Sequence, residues 1–317
     1  MQLLVSIMIP TFNQPQYIVQ AVKSALSQQY EYLEVIVSDD STNDETCQKV
    51  QPFLIDNRFR YYRNQNKLGR VDNYRELLYK LAKGDWVVML DGDDFFIDDK
   101  YISKAVDVIN KNPSVVLVGA GIEVLYQSTG KSIANLLINE SRIFKGMKVL
   151  EDKMFLPNHQ TDLYPRVLAH QLDFYRDPSM GSDSESLFRL CLHGDVAYLK
   201  DIAATWRIHE QNTTFTLDAA KQIRELVFID KVYDYSLQYI GEQSAKNWRK
   251  YMYNMMAGHI LLLPGVTLLN RFQLFWKIKN ILPVKAQVSL IKALVNRYVV
   301  SFKYFLKRKI SRPQNDS

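Results

Sequence analysis

Cysteine is nearly absent: Cys47 and Cys191 are the two in 317 residues. They lie far apart, so the chain has neither a disulfide framework nor a zinc-binding spacing, and it suits a reducing compartment. No Gly-x-Gly-x-x-Gly follows the first apolar run, which argues against a dinucleotide dehydrogenase. No apolar run reaches the roughly 20 residues needed to span a bilayer, and no internal repeat or low-complexity tract is visible. The opening MQLLVSIMIPTFNQ has no basic residue and is interrupted by Pro10 and Asn13. It reads as a first strand and not a secretion signal, and the cytoplasm is the expected location. Acid is missing from one long stretch: residues 265–312 hold eleven Lys or Arg and no Asp or Glu, leaving 29 basic against 34 acidic residues elsewhere. The net charge of +6 therefore belongs to the tail, and the remainder is formally −5.

What is present is an alternation of short apolar runs with helical spacing, the pattern of βαβ units around a mainly parallel sheet. LVSIMIP predicts a buried strand, and Ile18, Ala21, Val22, Ala25 and Leu26 predict a helix within 15–29. LEVIVSDD and the turn formers Ser41 to Asp44 repeat the unit, with helix toward Leu54. Residues 58–63 read as a short third strand, 71–83 as a helix ending near Gly84, and DWVVMLDGDD as a fourth strand. A helix over 98–111 and a strand over 114–126 follow. Residues 127–180 are less regular, with helix expected only at 146–155, and the pattern from about 216 is helical. The expected division is a catalytic domain over 1–215 and a helical, basic-amphipathic region over 216–317.

Open α/β sheets bind ligands beyond the carboxyl ends of their strands, so Asp39, Asp40, Asp91, Asp93 and Asp94 are expected to converge there. Gly92 permits a tight backbone between the acids. Hard oxygen ligands suit Mg²⁺ or Mn²⁺, and Mg²⁺ takes one or two carboxylates together with substrate phosphates. On its own an acidic turn after a strand is more readily a solvated surface feature.

The motifs in order resemble glycosyltransferase family 2 enzymes. VSIMIPTFN matches that family's opening strand, VSDDSTND its second strand and turn, KGDWVVMLDGDD its DxD strand, MGSDSESLFRL its acceptor-site helix and WRIHEQNTT its closing segment. The resemblance covers roughly residues 4–215 and implies the GT-A fold and a nucleotide-diphosphate sugar donor, with uridine as the family's usual base. It implies that Pro10, Thr11 and Asn13 border the nucleotide pocket, that Asp39 or Asp40 reads the base or ribose, and that Asp91 and Gly92 meet the nucleotide. Asp93 would bind the metal, and His209 would either ligate it or donate to a phosphate oxygen. Arg70 and Lys67, in NKLGR, are candidate diphosphate contacts. The family's catalytic carboxylate falls on Asp183, but Ser182 replaces the usual Glu before it, so Glu185 also stands as a candidate base. Trp206 is expected in the core or along the acceptor site. The reaction implied is inverting transfer of one sugar to a hydroxyl, since the Q-x-x-R-W segment of processive synthases is absent from this sequence.

The tail interleaves its basic residues with Phe272, Phe275, Trp276, Tyr298, Phe302, Tyr304 and Phe305. Such helices can lie in a membrane interface, each basic residue meeting anionic headgroups for about 1 kcal/mol; packing as a cap on the catalytic domain is the competing expectation. A lipid-linked saccharide acceptor at the inner face of the cell membrane, in surface-polysaccharide assembly, would account for such a tail. No nucleic-acid motif accompanies the patch. Other readings are a catalytically decayed nucleotide-sugar-binding or membrane-scaffold protein, or a phosphatase using VVMLDGDD as a DxD nucleophile strand.

Overall fold

The computed structural model describes residues 2–179, 181–212, 226–262 and Trp276, the last six residues of the 226–262 segment by backbone only. Ten strands form one sheet: β1 (Val5–Thr11), β2 (Leu33–Asp39), β3 (Phe59–Arg63), β4 (Trp86–Met89), β5 (Phe95–Phe96), β6 (Val115–Tyr126), β7 (Lys131–Asn135), β8 (Arg142–Lys145), β9 (Leu163–Pro165) and β10 (Asp195–Ile208). The order is β3-β2-β1-β4-β9-β6-β10-β5, with β7 beside β6 and β8 beside β10. β1, β2, β3, β4, β6 and β10 share one direction, and β5, β7, β8 and β9 oppose them.

Every residue of β1, β2 and β4 is buried, which is why their sequences are apolar runs without polar alternation. Successive side chains feed opposite faces. Ile7, Ile9, Val35, Val37 and Val88 pack under α1 (Ile18–Leu26) and α4 (Tyr101–Lys111), with α2 (Glu45–Val50) contributing Val50. Met8, Ile36, Val87 and Met89 pack on the other face under α3 (Arg70–Arg75), α5 (Met147–Glu151), α6 (Arg166–Gln171), α7 (Ser182–Cys191) and α8 (Val227–Leu262). The result is helix, sheet and helix in three layers. α8 is broken at Gly241, whose φ of 72° is left-handed. Its Phe228, Ile229, Val232 and Trp248 share one core with Leu187 and Phe188 of α7, so the described helical segment is continuous with the catalytic core.

The expected elements of residues 1–126 are found with local differences: the helix expected toward Leu54 is α only to Val50 and 3₁₀ over Gln51–Ile55, the helix expected at 71–83 is α only to Arg75 and becomes a π-helix over Glu76–Leu81, and the fourth strand ends at Met89, with the short strand Phe95–Phe96 beyond the acidic turn. The irregular stretch 127–180 contains three strands and two short helices, and the helix expected at 146–155 is only Met147–Glu151. The basic segment 265–312 lies outside the described residues apart from exposed Trp276. No helix among the described residues is long and apolar enough to cross a membrane.

Candidate active site

The chain leaves β1 for β2 and β3 on one side and returns to β4 on the other, opening a crevice at the carboxyl ends of β1 and β4. The acidic turn enters it from β4. Gly92 N–H donates to the Pro10 carbonyl at 3.0 Å, and a Cβ on Gly92 would stand 2.8 Å from Thr11 Oγ1. Glycine is thus required for the turn to dock on β1.

Ligand oxygens of Asp91, Asp93 and Asp94 lie within 4.8 Å of one another. Their roles differ. Asp94 is spent on structure, since Oδ1 accepts the Arg207 amide at 2.8 Å and Oδ2 accepts Gln160 Nε2 at 2.5 Å. Burial holds its carboxyl well above the ordinary range, with Asp93 and Asp91 adding repulsion. Asp93 Oδ2 meets His209 Nε2 at 2.8 Å and Asn212 Nδ2 at 3.4 Å, and among the described residues Asp93 Oδ1 has no hydrogen-bond partner. His209 Nδ1 accepts the Gln211 amide at 3.2 Å, so Nε2 carries the proton given to Asp93. That nitrogen serves a cation only after losing it. Asp91 accepts the Tyr74 hydroxyl at 2.9 Å. Burial raises its pKa; His159 opposes this, Asp93 reinforces it, and Arg70 and Tyr74 oppose it. Asp91 and Asp93 form the hard-oxygen set that fits a divalent cation shared with phosphates.

The five acids do not form one cluster. Asp39 and Asp40 reach the same end of the sheet, but Asp39 accepts Tyr61 Oη at 2.7 Å and the Ser41 amide at 2.8 Å. Asp40 accepts the amides of Leu68 and Gly69 at 2.9 and 2.7 Å. It thereby fixes the loop that delivers Arg70. Asn13 takes a left-handed φ of 52°, which Asn tolerates, and its Oδ1 accepts the Thr42 amide at 3.0 Å. Lys67 Nζ is exposed and sits 3.8 Å over the Phe12 ring. Trp206 packs, half-buried, against the core of the α1 face.

The two candidate bases separate cleanly. Glu185 is completely buried and bound by Arg176 at 2.6 Å and Arg189 at 2.8 Å. Asp183, at the start of α7, is half-buried, and among the described residues its one hydrogen bond is the Ser184 amide to Oδ1 at 2.7 Å. Arg70 stands between the two halves of the site. Burial disfavours its cation, but the Tyr74 hydroxyl and the Asp183 and Asp91 carboxylates outweigh this and raise its pKa.

Three residues here were given no role by the sequence, although Arg207 lies in the WRIHEQNTT segment. Arg207 is a structural stake: its Nε donates to the Asp93 carbonyl at 2.8 Å and its Nη atoms to Gln127 and Gln20 at 2.5 and 2.6 Å. His159 lies 4.0 Å from Asp91. Asp162 is 1% exposed, and neither oxygen has a hydrogen-bond partner; burial, reinforced by Asp183, holds its carboxyl well above the usual range. Asp162 is therefore protonated in the fold under conditions where it ionises in the unfolded chain, and this burden grows as pH rises from the unfolded value through the folded one. Asp162→Asn should be more stable than wild type at pH 8 by more than about 1 kcal/mol, at about 1.4 kcal/mol per tenfold change in proton affinity. The gain should vanish near pH 4. Urea unfolding at both pH values checks this, and a difference independent of pH would show that Asp162 is ionised in the fold.

Comparison with known proteins agrees with this geometry. A Haemophilus influenzae protein called an uncharacterized glycosyltransferase is 28% identical over 158 residues, covering 47% of this chain; the chain spans 62% of that relative's length. The Campylobacter jejuni GalNAc(5)-diNAcBac-PP-undecaprenol beta-1,3-glucosyltransferase is 41% identical over 91 residues, 28% of this chain and 29% of its own. Staphylococcus aureus TarS 1-349, solved with UDP-GlcNAc, superposes with a TM-score of 0.71 over 89% of this chain and 82% of its own, at 16% identity. The GT-A arrangement expected from the motifs is the one observed. The family model for glycosyl transferase family 2 matches residues 6–168. A match over more than half of the chain, taking in β1, the acidic turn and β9, makes this protein a member of glycosyl transferase family 2.

Proposed function

We propose that the protein is an inverting, metal-dependent transferase that moves one sugar from a nucleotide-diphosphate donor, with UDP as the expected nucleotide, to a hydroxyl of a lipid-linked saccharide in surface-polysaccharide assembly. The observation that carries this is the disposition of charge: Asp91 and Asp93 at the crevice on one side, half-buried Asp183 on the other, and Arg70 between them. Asp183 takes the proton of the acceptor hydroxyl while that oxygen bonds to C1 of the sugar. The C1–O bond to the diphosphate breaks, and its electron pair leaves with the phosphate oxygen. Attack from the face opposite the leaving group inverts the anomeric centre and needs no covalent enzyme intermediate. Asp93, with Asp91 beside it and His209 as the further candidate ligand, would hold Mn²⁺ or Mg²⁺, which would supply positive charge opposite the leaving diphosphate. Arg70 places a second positive charge nearby, and the Pro10 to Asn13 turn with Asp39 and Asp40 forms the proposed nucleotide end.

Support for the donor comes from TarS, which was solved with UDP-GlcNAc. Support for the acceptor comes from the Campylobacter relative, whose name places its sugars on PP-undecaprenol. Segment 265–312 is the proposed contact with anionic lipid.

Release of nucleoside diphosphate from a panel of nucleotide sugars tests the reading. One donor should be turned over with Mn²⁺ or Mg²⁺, and chelator or Asp93→Ala should abolish release. Tight donor binding without turnover, even with lipid-linked acceptors supplied, would instead indicate a nucleotide-sugar-binding protein.

A further inference from the structure

One nitrogen beside the acids has no role in that chemistry. His159 Nε2 is buried and makes no hydrogen bond, yet it lies 4.0 Å from Asp91 Oδ1. The gap is about 1 Å longer than an N–H···O bond and too short to hold a bridging water.

The ring has little freedom to find another partner. It stacks on Tyr74, with centroids 5.4 Å apart and planes 25° from parallel. The 3₁₀ turn that carries it, His159–Thr161, is pinned twice: Gln160 Nε2 donates to Asp94 Oδ2 at 2.5 Å, and Thr161 Oγ1 donates to the Ala120 carbonyl at 3.0 Å. Tyr74 donates to the same Asp91 oxygen that His159 faces. In its Nε2–H form His159 is thus a second donor, stacked on the first and addressing the same carboxylate oxygen, and one of the two bonds is made. The Asp91 side chain is 33% exposed against 14% for His159, so the carboxylate is the partner with room to move. A buried donor left unpaired is unfavourable, which favours any state of the site that closes the gap.

We propose that Tyr74 and His159 form a two-donor clamp on Oδ1 of Asp91 that closes when the nucleotide sugar binds and turns Oδ2 toward it. This rests on the donor site proposed above. His159 acts through Asp91 and does not touch substrate, so it is a positioning residue.

His159→Phe keeps the stack on Tyr74 and removes the donor, whereas His159→Gln restores an N–H near the position of Nε2. Calorimetry with UDP, GDP, ADP and CDP in Mn²⁺ measures nucleotide affinity without requiring turnover. For the nucleotide that binds wild type, His159→Phe should weaken affinity, and raise the donor KM, by roughly ten- to hundredfold, the worth of one hydrogen bond to a charged group. Acceptor KM should be unchanged and the melting temperature should not fall, since Phe removes an unpaired buried donor, and His159→Gln should recover most of the lost affinity. Wild-type affinity in His159→Phe, or equal impairment in both variants, overturns the clamp. Wild type that binds a nucleotide but transfers no sugar overturns the transferase reading alone, since the clamp is still read from the affinities. Wild type that binds none of the four overturns both.

Discussion

Replacing Asp183 by Asn should lower sugar transfer by about a hundredfold to ten-thousandfold, the usual contribution of a positioned general base, while leaving donor affinity unchanged. Asn occupies the same space at the head of α7 and can still accept the Ser184 amide, so the helix start survives and only proton acceptance is lost. Glu185→Gln should behave in the opposite way. Its carboxylate is buried against Arg176 and Arg189, and removing one partner from a buried ionic group costs about 3–5 kcal/mol. The Glu185 variant should therefore lose stability first and activity only as a result. Product formation under saturating donor, paired with thermal unfolding, separates the two. Near-normal turnover in Asp183→Asn would remove it from the role of base.

Arg207→Met should cost about 1–3 kcal/mol of folding stability, chiefly through the buried Asp93 carbonyl left without its donor, although it alters no proposed ligand of metal or nucleotide. Arg207 is 5% exposed, with its guanidinium carbon 4.8 Å from the Tyr17 ring centroid and 5.1 Å from that of Phe95. Met fills much of that volume but leaves the Asp93 carbonyl and the side-chain oxygens of Gln20 and Gln127 without their donor. Lys should not rescue it, because one ammonium lacks the planar fork that reaches three acceptors. Urea denaturation measures the loss, and a change below about 1 kcal/mol would mean that these acceptors find other donors.

The legible part of this fold is the part where one physical cause dominates. β1, β2 and β4 are buried on both faces, so burial alone writes their apolar runs. β9 escaped notice because three residues ending in Pro165 carry no periodicity; its place between β4 and β6 is decided by those neighbours. β7 and β8 are exposed or half-buried throughout and show no alternation. At the site, the motifs marked Asp91, Asp93 and Asp183, but Ser182 in place of the family's Glu left Glu185 as a second candidate beside the favoured Asp183. Two arginines in contact with Glu185 separate them, one of them nine positions upstream. Asp94 belonged to the same motif as Asp93 and proved to be a fastening, because its partners Gln160 and Arg207 arrive from later strands and turns. His159 and Asp162 are defined by partners they lack, which no sequence pattern records.

The acidic turn is made early in the chain and secured late. Arg207 reaches back 113 and 114 positions to Asp94 and Asp93, His209 reaches back 116, and Gln160 reaches back 66. Loop closure over such separations is slow and follows local structure. During synthesis the β1–β4 half can therefore collapse with its carboxylates in place but unfastened, and the site acquires its working geometry only when β10 adds to the sheet. A chain that stops before residue 207 therefore carries the acids of the turn without the Arg207 and His209 contacts that hold them in the finished fold.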